Sequence, residues 1–169
     1  ETVAAGATDE AAQYFRRMKL LGTGEVTADA LAITAALALF SGSARDANAS
    51  KAGVSALQRY HGMPHGAFSA DPYLAGRDLS RTSGLLAVCA QLEALHDLLA
   101  ASGDVAYAEK IERITENALA GMLRPEGVCA GQAVNRLGND ETCAVREATR
   151  KETSALLRAM HAVRRSVWM

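Results

Sequence analysis

Aromatic side chains are scarce in this chain: Phe, Tyr and Trp make up 5% of its 169 residues. A core built mainly from rings is therefore excluded, and the interior has to be assembled chiefly from Ala and Leu. Neither sign of charge is in excess. Eighteen basic and 19 acidic residues give a net charge of −1, which removes the electrostatic reason to expect nucleic acid. No apolar run reaches the ~18–20 residues needed to cross a bilayer. The closest, Ala28 to Phe40, contains Asp29 and Thr34 and reads as a buried helix. The three cysteines, Cys89, Cys129 and Cys143, are too few for a disulfide framework, and the odd count leaves one unpaired. A reducing compartment, or a metal site, fits that count better than a secreted disulfide scaffold. The chain opens on Glu1 rather than Met, which suggests N-terminal processing before residence in an organelle or the cytoplasm, or a longer parent sequence.

What is present is apolar helix. Hydrophobic residues make up 49% of the chain, enough for a real core in a single domain spanning 1–169. Helical periodicity predicts six segments, at about 9–21, 28–40, 43–60, 80–101, 105–123 and 140–168. Thr27, Ser43 and Asp104 are read as N-caps, and Gly22, Gly62 and Gly103 as stops. The 28–40 segment is apolar nearly all round and is expected to be central. Short turns alternating with long loops point to antiparallel helical hairpins. No alternating polar and apolar run argues for a substantial sheet, so the expected class is all-α. In the last helix, Arg146 to Glu152 has almost no apolar face. A solvated surface is the plainer reading, and a polar partner interface over 138–169 is the alternative.

The longest inter-helical stretch, Tyr60 to Asp78, is punctuated by Gly and Pro and mixes aromatic, His, Asp and Arg side chains. Helix connections usually take ~2–8 residues, and much longer ones tend to be functional. His61, His65, Tyr73, Arg77 and Asp78 are the ligand-binding candidates. Each has a structural reading beside it. Loop histidines often satisfy backbone groups, Arg77 suits an ion pair, and Asp78 suits a cap for the 80–101 helix. Tyr60, Phe68 and Tyr73 could stack on a sugar face or anchor the loop in the core.

Arg45-Asp46-Ala47, Tyr60-His61-Gly62-Met63-Pro64, Gly66-Ala67-Phe68-Ser69-Ala70-Asp71 and Leu74-Ala75-Gly76-Arg77-Asp78 resemble the β-L-arabinofuranosidase-type glycoside hydrolases. Gly131-Gln132-Ala133-Val134-Asn135 is similar to that family's Gln-x-x-Asn segment, and the likeness covers about 28–137. The resemblance implies part of an (α/α) toroid, a zinc ion held by Glu and Cys, a Cys thiolate nucleophile and a separate Glu acid/base. The chain departs from the pattern at the chemistry. Gly66 and Pro72 stand where the acid/base Glu falls, and Thr82-Ser83-Gly84-Leu85-Leu86 stands where the zinc pair falls. If activity survives, Cys143 and Glu141 would carry it. A zinc set would have to draw on Cys89, Cys129, Glu141 and Cys143; otherwise no cofactor is expected.

The expectation is thus a pseudoenzyme: a non-catalytic helical scaffold or accessory subunit of a larger assembly, partnered by other protein subunits. A zinc- and cysteine-dependent glycoside hydrolase and a carbohydrate-binding module are the alternatives.

Overall fold

The computed structural model describes residues 24–68, 76–77, 83–129 and 145–166. Helix α1 is Gly24–Ser41 and α2 is Ala44–His61. Helix α3 is Leu85–Ser102 and α4 is Ala106–Ile114; α4 runs on through a π-helical turn, Thr115–Leu119, and a last α turn, Ala120–Met122. Three short strands follow, β1 (Leu123–Arg124), β2 (Gly127–Cys129) and β3 (Val145–Arg146), and then α5, Arg150–Ser166. The expected 9–21 helix lies outside the described residues.

The centre is α3, not α1. Helices α1, α4 and α5 all pack on it, and 67% of its 18 residues are buried. By length and composition α3 is apolar enough to cross a membrane, but here it is the core helix. The interior is Ala and Leu as composition required. Ala28, Leu31 and Ala35 of α1 and Ala155 and Ala159 of α5 meet Ala87, Val88, Leu92 and Leu95 of α3 in one cluster.

The helix ends follow local chemistry. Ser43 and Gly62 bound α2 at the expected positions, although the Ser43 hydroxyl makes no capping hydrogen bond. Gly103 closes α3 in the left-handed region (φ 68°), its N–H donating to the Leu99 carbonyl, and Asp104 then accepts from the Ala106 N–H at 3.1 Å. Thr27 is not a cap: α1 begins at Gly24, and Thr27 is fully buried one turn inside it. Helix α3 begins at Leu85 behind Gly84 rather than near residue 80; Asp78, read as its cap, lies outside the described residues.

The last helix is shorter than its polar periodicity suggested. Val145–Arg146 pairs with β2, completing a three-stranded antiparallel sheet ordered β1-β2-β3. With strands of two or three residues, the sheet is a small addition to a mostly helical chain. Its β1–β2 hairpin turns through Pro125 and Glu126, and Gly127 (φ 153°) opens β2 where a Cβ would run into the Arg146 carbonyl. Helix α5 starts in a capping box. The Thr149 N–H donates to Glu152 at 2.9 Å, and the Glu152 N–H donates to the Thr149 hydroxyl at 3.3 Å. Both Arg146 terminal nitrogens clamp the Glu152 carboxylate, at 2.8 and 2.9 Å. Within the charged run Arg146, Thr149 and Glu152 bond to one another, while Glu147, Arg150 and Lys151 are exposed.

Candidate functional site in the loop between α2 and α3

The sequence 61–68 folds back on itself because its backbone groups find partners at short range. The Gly66 N–H donates to the Met63 carbonyl and the Met63 N–H to the Ala67 carbonyl, both at 2.9 Å. Gly62 and Phe68 then meet in a β-bridge. Gly66 takes a positive φ of 96° with Arg113 Cγ and Ile114 Cγ1 of α4 about to touch any added Cβ (3.0 and 3.1 Å). Only glycine meets both demands.

Side chains from both flanking helices hold this turn. From α2, Gln58 Nε2 donates to the Gly66 carbonyl at 2.7 Å. From α3, Gln91 Oε1 accepts from the Phe68 N–H at 3.0 Å. Phe68 is 1% exposed and belongs to the core, so the anchoring reading of this ring holds. Tyr60 lies outside on the surface, with the Arg59 guanidinium 5.8 Å from its ring centre.

The two histidines are buried. His61 Nδ1 accepts from the Gly76 N–H at 3.2 Å, and His65 Nδ1 accepts from the Ala67 N–H at 3.2 Å. A backbone N–H can only donate, so each ring carries its proton on Nε2. Ser83, also fully buried, sits with Oγ 3.3 Å from His65 Nε2 and 3.4 Å from the Phe68 carbonyl. The His65 Nε2–H therefore donates to Ser83, and the Ser83 hydroxyl donates onward to Phe68. A Ser–His nucleophile needs the opposite polarity, with the imidazole accepting the hydroxyl proton. In this arrangement the Ser83–His65 pair fastens the loop to the start of α3.

Of the predicted ligand residues, His61 and His65 are each buried as ties to loop backbone, while Arg77 is exposed. Tyr73 and Asp78 lie outside the described residues, as do Glu141 and Cys143. Ser83, Gln58 and Gln91 were not anticipated. Ser83 had a local cue, a polar residue before a Gly helix start; the two glutamines had none.

Of the residues a zinc set would draw on, Cys89 and Cys129 lie among the described residues. Cys129 is disulfide-bonded, so its sulfur is not available as a thiolate. Cys89 is free but buried in α3, where desolvation, then the nearby Glu93 carboxylate, push its thiol up to about 12. Among the described residues no three His, Cys, Asp or Glu side chains converge on a metal position. The disulfide also runs against the reducing compartment, since such bonds persist in oxidising surroundings. An odd cysteine count leaves one thiol over but does not prevent the other two from pairing.

A groove of about 510 Å³ opens elsewhere, between α4 with its π-helical turn and the C-terminal half of α5. Glu109, Glu112 and Glu116 border it above an apolar lining that includes Ile111 and Val163. None of the predicted site residues among the described residues lines it.

Fold and loop together define a helical domain with a small antiparallel sheet and an internally tied inter-helical loop. The chain matches no protein family, no curated protein and no solved structure.

Proposed function

We propose that this chain is a non-catalytic helical scaffold or accessory subunit of a larger assembly, derived from a glycoside-hydrolase-like (α/α) toroid. The observation that carries the reading is α1. Its inner face, Ala28, Leu31, Ala35 and Ala38, is buried, yet Val26, Ile33, Leu37 and Phe40 on the opposite face are 53–87% exposed. A helix apolar on both faces belongs inside a larger packed body, and an exposed apolar stripe of this kind marks a protein contact surface. The loop supports the non-catalytic part, because its histidines and Ser83 are engaged in holding backbone. Its resemblance to the arabinofuranosidase loop supports the derivation.

The test is direct. The isolated chain should self-associate, or form a defined complex when produced with its native partners, and should not turn over an aryl arabinofuranoside. A well-folded monomer with its α1 face shielded would refute the scaffold reading. Turnover abolished by Cys143→Ala would replace it with the hydrolase.

A further inference from the structure

We infer that the outer face of α1 pairs with the same face of a second copy of this chain, the two helices running antiparallel. This rests on the scaffold reading above and names its partner.

The spacing is the first support. Val26, Ala30, Ile33, Leu37 and Phe40 recur at intervals of four and three residues, which is the repeat of a two-helix seam rather than of a solvated helix face. Shape is the second. When two copies pack antiparallel by their outer faces, crossing at the level of the inward-facing Ala35, Ile33 of one lies opposite Leu37 of the other and Ala30 lies opposite Phe40, with Val26 beyond the overlap. The smallest side chain of the stripe then faces the largest, which fills the seam without a void.

Charge chooses the direction. Asp29 flanks the stripe, and α1 has no basic residue in its last turn. A parallel pair would set Asp29 against Asp29. The antiparallel register separates them by about 18 Å along the axis, beyond the ~8 Å screening length at physiological salt. Area fits a weak, concentration-dependent pair: the large side chains this register sets face to face, Ile33, Leu37 and Phe40, present at most roughly 450 Å² per chain, so the pair lies just below the ~1,000 Å² of a stable specific interface. The end of the helix leaves room as well: Gly42 turns the chain away just past Phe40, with nothing within 4 Å of where its Cβ would be.

The experiment uses the full chain. Sedimentation equilibrium from low to several hundred micromolar should give twice the chain mass at the upper end. Hydroxyl-radical footprinting should show Leu37 and Phe40 becoming protected over the same range. Ile33→Glu and Leu37→Glu should each shift the dissociation constant at least tenfold toward monomer with an unchanged helical circular dichroism spectrum, while Ile33→Leu should not. A monomer at every concentration overturns the pairing, as does a dimer indifferent to both Glu variants. Footprinting then separates the two levels. In a monomer, an open Phe40 leaves the scaffold reading standing with a foreign partner. A Phe40 already shielded means that the chain covers its own stripe, and the scaffold reading falls too.

Discussion

Replacing Glu152 by Gln should destabilise the fold by about 2 kcal/mol at neutral pH and by almost nothing near pH 2. The carboxyl is 8% exposed at its side chain and receives the Arg146 guanidinium through two hydrogen bonds. It also accepts from the backbone N–H and the hydroxyl of Thr149, at 2.9 and 2.8 Å. Arg146 first, and the Thr149 bonds after it, overcome the burial penalty and lower the carboxyl from 4.5 to about 2. At ~1.4 kcal/mol per pKa unit this corresponds to about 3 kcal/mol. The Arg146 side chain is 45% exposed, and solvent screening of that partner reduces the figure to ~2 kcal/mol. Because the folded value is the lower one, the charge stabilises the fold above about pH 4.5. That contribution fades as pH falls through about 2.

Urea unfolding of wild type and Glu152→Gln, followed by helical circular dichroism at pH 7, 4.5, 3 and 2, measures the difference directly. In a thermal scan at neutral pH it should appear as roughly 4–8 °C. A deficit of equal size at pH 7 and pH 2 would refute the charge argument and assign the residue to packing alone.

Other expectations follow from the loop, the sheet and the cysteines. Ser83→Ala removes the acceptor for the His65 Nε2–H in a buried site and should lower stability by ~1–3 kcal/mol in the same urea assay; no loss would mean that the tie is not made. Gly66→Ala places a Cβ at positive φ against Arg113 and Ile114 and should cost ~1–3 kcal/mol, whereas Gly42→Ala, with open space around it, should show only the smaller backbone strain. With Cys89 buried and Cys129 in a disulfide, a thiol reagent should react slowly or not at all with native protein. Unfolded, unreduced protein should give one thiol per chain and reduced protein three; three before reduction would remove the disulfide.

The helical class, the bounds of α2, the Gly103 stop and the Ala–Leu core were legible because each is set by neighbours three or four residues apart. The capping box at α5 was equally local. Thr149-x-x-Glu152 announces a helix start, but the charged run around it has helical periodicity of its own and masks the signal. The candidate site was legible only as a stretch of chain. That His61 and His65 are inward ties, and that Gln58 and Gln91 hold the turn, depends on pairs such as Phe68 with Gln91 that lie far apart in sequence. Such pairs leave no periodic trace.

Sequence alone determined that this chain would be helical, because local spacing and caps act within one or two turns. It also determined that α1 would be apolar all round, since that needs only a list of side chains. Which helix would occupy the centre was a tertiary decision. A core accommodates one central helix when α1, α4 and α5 all pack against it, and α3, with 67% of its residues buried, took that place. Helix α1 was left with one apolar face against the fold and the other toward whatever covers it.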